Sequence, residues 1–221
     1  MNRFVDSRHH SHIDICVNNG IHILTFRKRR SPDEARAEIL EAAEERLRLH
    51  GIEGLNVVDV AKACGMSHAT LLHHFGSTGG MRRELVGYMT ARLIDDIIAS
   101  LEQHPEIEPP EMLRSLFRTL ATGGHTKLLA WLSLSGEEFA PAPDTGPMLI
   151  EHFNALIPVI AARLPESPDA TGHARRVVFL IATAAIGFGV GGPLLPAVIG
   201  LNAEETDTFS EWLGRQIDHL H

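Results

Sequence analysis

The stretch from Val57 to Phe75 constrains the chain most, because it reads as two short helices meeting at a glycine. Asn56 stands where a short polar side chain caps a helix. Asp59, three residues on, sets a negative charge at the positive helix end. Val57, Val60 and Ala61 then fall on one helical face, followed by Cys64. Gly65 permits the left-handed conformation that stops a helix at little cost, and Ser67 can cap the next one. That second helix carries Ala69, Thr70, Leu71 and Leu72 and ends at His73-His74-Phe75. Two helices joined by a short glycine turn make a helix-turn-helix, whose second member can enter a DNA major groove.

These residues resemble the DNA-binding end of the TetR family of bacterial transcriptional regulators. That family's run has the form x-I-A-x-x-A-G-V-S-x-x-T-L-Y-x-H-F. The chain supplies Val60-Ala61, Cys64-Gly65-Met66-Ser67, Thr70-Leu71 and His74-Phe75. Upstream, Arg36, Ile39-Leu40, Ala42-Ala43, Leu47 and Gly51 resemble the family's first helix, so the likeness covers roughly residues 32–92. It implies an all-α protein with an N-terminal three-helix helix-turn-helix domain and a helical ligand-binding and dimerisation bundle. The implied partners are a double-stranded DNA operator, a small-molecule effector and a second copy of the chain joined through the last two helices. The corresponding segments are 1–30 as an extension with a basic arm, 31–80 as the DNA-binding domain and 81–221 as the bundle.

The recognition helix is expected from about His68 to His74, with His68, Ala69 and His73 towards the bases and Thr70 towards a phosphate or a thymine methyl. His74 matches the family's histidine near a phosphate, and Asn56 and Ser67 complete the candidate DNA-contacting set. Arg27, Lys28, Arg29 and Arg30 precede the first helix. They read either as a solvated charge run or as an arm that neutralises phosphates or enters the minor groove. Arg82 and Arg83 likewise face either phosphates or neighbouring acids. The chain departs from the family pattern at Leu72, where a backbone-touching tyrosine is usual, and at Thr78, where a cation is usual. Leu55 and Val58 also replace polar or basic residues. These losses predict weakened backbone contact and leave open a relative of the same fold without DNA binding.

The formal net charge of −8 at first sight argues against a nucleic-acid partner, but the charge is uneven. Residues 27–92 carry a net +2 and residues 93–221 a net −10, a locally basic module on an acidic body. Two cysteines, Cys16 and Cys64, offer no disulfide framework, and a reduced cytoplasm is the expected compartment. No secretory segment is legible at the start. His9, His10, His12 and Cys16 follow no closed zinc spacing and are weighed against an unstructured extension.

Helices are expected at 33–50, about 81–103, 110–122, 125–135, 146–163, 169–190 and 203–219. Breaks fall at Pro105 to Pro110, Gly123-Gly124, Pro141 to Asp144, Pro165 to Pro168 and Gly191-Gly192-Pro193. No strand pattern of useful length intervenes, and Gly76 to Gly80 reads as a loose link. Val177 to Leu201 carries no charge and approaches the length of a membrane span, yet its glycines and prolines favour a soluble buried helix. Small residues such as Thr183 and Gly187 there suit close helix approach in a dimer.

Phe117, Leu120, His125, Trp131, Phe153, Phe179 and Thr183 are the candidate ligand-binding residues. Aromatic residues at helical spacing serve core and pocket alike, so periodicity leaves the two unsorted. The low density of ionisable groups favours a mostly apolar ligand. No enzyme motif, cofactor site or metal site is expected. Ser133 and Ser135 lack a nucleophile motif, and Glu137, Glu138, His152 and His173 have no ligand spacing.

Overall fold

Ser31 and Glu34 begin the first helix by exchanging hydrogen bonds. Ser31 Oγ accepts from the Glu34 amide at 3.1 Å, and a Glu34 carboxylate oxygen accepts from the Ser31 amide at 2.8 Å. This reciprocal cap satisfies two amides that a helix end leaves without partners, and Pro32 follows as the first residue of α1 (Pro32–His50). The computed structural model describes residues 17–18, 21–22, 31–134, 145–192 and 194–217. The described residues divide into two compact units, those up to Glu38 and those from Ile39 onward. In the first, β1 (Val17–Asn18) and β2 (Ile21–His22) pair antiparallel, with Val17 opposite His22. Two residues each are too few to alter an all-α architecture, which is what the helical periodicities predict.

Within the second unit, a 3-10 turn (Ile52–Gly54) leads to α2 (Val57–Ala63) and α3 (His68–Phe75). A long α4 (Thr78–Gln103) then runs into α5 (Pro109–Thr122), α6 (His125–Leu134), α7 (Thr145–Ala161) and α8 (Ala170–Gly191). Short α9 (Leu194–Ile199) and α10 (Ala203–Asp207) precede α11 (Phe209–Ile217).

Three departures from the sequence reading have local causes. Helix α4 starts at Thr78 rather than Met81, because Ser77 caps it by accepting from the Gly80 amide at 2.9 Å. The segment expected to be a loose link is thus the first turn of a helix. The expected helix 203–219 is interrupted at Thr208. Asn202 and Glu205 form a capping box, and Thr206 and Thr208 hydroxyls donate back to the Asn202 and Glu204 carbonyls at 2.8 and 2.7 Å. Such back-bonding lets a hydroxyl side chain compete with helix continuation. Helix α9 was not expected at all; its Pro196 occupies a turn too short to need that missing amide.

The core has three apolar clusters. One joins Ile39, Ala43 and Leu47 of α1 to Val60, Leu71 and Phe75 of the helix-turn-helix, to Met81, Leu85 and Met89 of α4, and to Leu128 and Leu132 of α6. Another gathers Leu113 and Phe117 of α5, Val177 and Ile181 of α8, and Leu213 and Ile217 of α11. The third joins Ile94 and Leu101 of α4 to Leu156 and Ile160 of α7 and Ala174 of α8. Across the first cluster's edge, an Arg92 guanidinium nitrogen reaches Glu44 at 2.6 Å, so α1 is also tied to α4 by charge.

The seam between α3 and α4 is tight enough to specify a residue. A Cβ placed on Gly80 would sit 2.1 Å from the Phe75 carbonyl oxygen, backbone against backbone. Gly80→Ala is therefore expected to destabilise the protein by about 1–3 kcal/mol. Urea denaturation monitored by circular dichroism measures this, and an unchanged midpoint would contradict the close approach.

Candidate functional site

The turn of the helix-turn-helix is built by backbone hydrogen bonds that only one residue type satisfies easily. Gly65 has φ of 64°. Its amide donates to the Lys62 carbonyl at 3.1 Å, and the Met66 amide donates to the Ala61 carbonyl at 3.0 Å. This pair of bonds is the Schellman ending of α2, and the left-handed residue at its centre is the one where a side chain is least tolerated. Both helices also carry side-chain caps. Asn56 Oδ1 accepts from the Asp59 amide at 2.9 Å, and Ser67 Oγ accepts from the Thr70 amide at 3.1 Å while lying 2.8 Å from Thr70 Oγ1.

A small polar network sets α2 against α1. Asn56 Nδ2 donates to Asp59 Oδ2 at 2.8 Å, and Arg46 Nη2 donates to the same oxygen at 3.0 Å. Arg46 Nε also donates to the Gly54 carbonyl at 3.0 Å. The Asn56 amide, with Arg46 behind it, holds the Asp59 carboxyl below its ordinary range. Sequence reasoning did not find Arg46. Its partner lies thirteen residues away on another helix, and no local pattern marks the pairing.

Helix α3 divides cleanly. Leu71 and Phe75 are buried in the core, whereas His68, Ala69, Thr70 and His73 are exposed. His74 is half-buried, its ring 6.0 Å from that of His73. Asn56, Ser67 and Thr70 spend their side chains on capping, so the side chains exposed without that duty are His68, Ala69 and His73. The departures from the family pattern also sort themselves. Leu72 is half-buried against the core, and Thr78 opens α4. Leu55 is wholly buried, so its apolar character belongs to packing; Val58 remains 62% exposed. Arg82 lays its guanidinium 4.2 Å from the centre of the Trp131 ring, joining α4 to α6. Arg27, Lys28, Arg29 and Arg30 lie outside the described residues.

A second feature lies among α4 to α8. A cavity of about 300 Å³ is lined by Val86, Thr90, Leu93, Ile94 and Ile97 of α4, with Met112, Leu120, Leu129, Leu149, Phe153 and Ile186 among those on the facing helices. Leu120, His125 and Phe153 of the expected ligand set meet there. The other four do not. Phe117 belongs to an aromatic cluster with Phe188 and Phe209, at ring separations of 5.5 and 6.0 Å. Trp131 is engaged by Arg82, and Phe179 and Thr183 lie on the outer face of α8. Phe179 is 74% exposed. Leu180 and Val190 of α8 and Leu194, Leu195, Val198 and Ile199 of α9 are likewise exposed. Helix α11 instead turns Leu213 and Ile217 inward to the cluster that holds Leu113 and Phe117 of α5. Exposed apolar side chains thus lie on α8 and α9, and the last helix also exposes Trp212 at 51%. By length and composition alone α8 could cross a membrane.

Among the described residues no three His, Cys, Asp or Glu side chains are grouped as a metal site would need. Ser133 donates to the Leu129 carbonyl at 2.9 Å, and His152 lies 3.5 Å from Asp95. His173 is buried in α8. The candidates His9, His10, His12, Cys16, Ser135, Glu137 and Glu138 fall outside the described residues.

Residues 39–85, from α1 through the second turn of α4, match the family model described as bacterial regulatory proteins, tetR family. Over those residues the chain carries a TetR-type DNA-binding region. It is similar to the HTH-type transcriptional regulatory protein RaaS of Mycobacterium tuberculosis (strain ATCC 25618 / H37Rv), 31% identical over 117 residues that cover 48% of this chain. The match spans 55% of that relative's length. Among solved structures, the TetR family repressor AlkX from Dietzia sp. strain DQ12-45-1b superposes with a TM-score of 0.55 at 20% identity, covering 83% of this chain and 93% of that one. A TetR-family regulator from Mesorhizobium loti MAFF303099 gives 0.53 at 17% identity, covering 86% and 97%. At such identities these two show the TetR fold alone.

Among the described residues of the cavity wall, His125 is the one ionisable side chain. Burial pushes its pKa below the ordinary histidine value; the Arg92 charge adds to this, and a hydrogen bond to the Met89 backbone opposes it. Its Nδ1 is buried with no hydrogen-bond partner. Because the folded state holds the proton less tightly, the unfolded chain binds more protons just below the unperturbed value near 6.5. The stabilisation from the neutral ring is present above about pH 6.5. It is lost as pH falls towards the lowered folded value. His125→Gln is expected to lose less stability than the parent between about pH 7 and pH 5. Urea titrations at each pH compare the two, and parallel profiles would remove His125 as the cause.

Proposed function

We propose that this protein is a homodimeric DNA-binding transcriptional regulator of the cytoplasm, a repressor released from its operator by a small apolar ligand. The observation that carries the reading is α3. It is capped, its apolar side is sunk in the core, and His68, Ala69 and His73 stand free of core duty on its outer side. That is the arrangement a recognition helix needs to reach base edges without unfolding its own support. The ligand site is the cavity among α4 to α8. Val86 belongs both to the cluster beneath the helix-turn-helix and to the cavity wall, so a filled cavity bears directly on the core that seats α3. Release is then a population shift, in which the ligand binds the DNA-incompetent state better than the competent one. RaaS is named a transcriptional regulator, in keeping with this reading.

Leu72 and Thr78 favour a second reading, a ligand-binding protein of the same fold that has weakened or lost its DNA contacts. Neither side chain offers a phosphate the cation or phenol usual in the family. Binding to labelled duplex from upstream of the gene, across a salt series and against a scrambled duplex, separates the two. Selective saturable binding supports the regulator, and no retention of any duplex in a wider screen supports the second reading. Within the first, Ala69→Glu and His73→Ala should each weaken selective binding by about tenfold to a hundredfold with the thermal midpoint unchanged. A loss confined to variants that also unfold would contradict direct contact.

The outer face of α8 and α9 is assigned to the second copy. A soluble chain that leaves Phe179, Leu194 and Val198 more than two-thirds exposed has reason to cover them. A two-fold pairing presents the same face on both partners. Leu194→Glu combined with Val198→Glu is expected to convert the dimer to a monomer in sedimentation velocity. A monomeric parent chain would refute the assignment, and sedimentation of the parent with lipid vesicles would move this face to a membrane.

A further inference from the structure

The cavity has a shape as well as a polarity. Its wall residues on α4 run from Val86 to Ile97 and those on α7 from Leu149 to Ile160, eleven residues apart in each case. At the helical rise this is about 16 Å of wall on both sides. A volume of about 300 Å³ spread along that length makes the cavity elongated rather than round. An elongated apolar space suits an extended run of methylenes better than a compact ring system. Volume gives a second measure: an apolar cavity of about 150 Å³ holds benzene, so one twice that size holds about twelve carbons.

The lining offers nothing to an ionised group. Among the described residues that line it none carries a formal charge at neutral pH, and only Thr90 and His125 are polar. His125 Nδ1 is shut away from any probe and lies against Gly123, where an added Cβ would meet it at 2.8 Å. A charge held here would lose its water without gaining a partner.

Building on the ligand site of the proposed function, we propose that the cavity takes one unbranched aliphatic chain of about ten to twelve carbons, with any charged head kept outside it. The chain lies along α4, between it and α7. Ala182 of α8 lines the cavity between Val178 and Ile186, and is the place where a larger side chain would shorten it.

Isothermal titration of the full-length protein with 1-alkanols from six to fourteen carbons tests this without DNA. Affinity should rise roughly fourfold per added carbon, from burial of one methylene, and stop rising near twelve. A fused bicyclic alcohol of equal carbon number should bind at least tenfold more weakly. The twelve-carbon dicarboxylate, which cannot leave both charges outside, should not bind. Ala182→Phe should move the cut-off to shorter chains, and Ala182→Met should move it less; either folded variant suffices. A flat length series, equal binding of the bicycle, binding of the diacid or an unmoved cut-off would each overturn the proposal. Alkanol binding together with failure on every duplex would overturn the regulator and leave the chain site standing. Selective duplex binding with no alkanol binding would do the reverse.

Discussion

Helix α4 is the constraint on which the rest depends. Its 26 residues give it a length of about 39 Å, and it is a wall of two different cores. At its start Met81 and Leu85 close the core beneath α2 and α3, and further on Leu93, Ile94 and Ile97 line the cavity. A straight helix cannot adjust one end independently of the other, because its side chains are fixed at regular intervals along one rod. One continuous helix therefore takes part both in the core beneath α2 and α3 and in the cavity wall. Leu128 and Leu132 of α6 join the same core, so α6 is a second link between the two ends.

What was legible in the sequence was what is decided locally. Asn56, Gly65, Ser67 and the alternation of Val57, Val60, Leu71 and Phe75 act through neighbours within four residues. Their spacing alone carries the caps, the turn and the buried side. The same locality misjudged Gly76 to Gly80, where glycines suggested looseness. Ser77 instead caps a helix, and Gly80 is small because a carbonyl lies against it.

The cavity was legible only in part, for a reason visible in four phenylalanines. Phe117, Phe153, Phe179 and Phe188 all stand on helices with apolar spacing. One is buried among rings, one lines the cavity, one is exposed on the outer face and one bridges α8 to the aromatic cluster. Nothing within a turn of each residue distinguishes them. Which helix arrives opposite is a tertiary fact, and so are the pairings Arg46 with Asp59 and Arg82 with Trp131. Leu55 shows the converse: its departure from the family pattern looked like a lost surface contact until its burial made it a packing residue.

The proposed release can be weighed energetically. Twelve methylenes leaving water are worth roughly 10 kcal/mol gross, and association takes back about 4–15 kcal/mol in lost freedom. Turning a population from 1:99 to 99:1 needs a difference of about 5.5 kcal/mol between the two states. A chain whose burial differed by only a methylene or two between the states would shift the balance by about fifteenfold at most, far short of that turn. The DNA-competent state must therefore bury far less of the chain, which means a cavity largely collapsed between α4 and α7. In the proposed switch such a collapse would draw Val86, Leu93 and Ile97 towards α7, and α4 would carry the displacement to Met81 and Leu85 beneath α3. On this reading the size of the cavity and the stiffness of α4 are one requirement, since a flexible helix would absorb the ligand's volume before it reached α3.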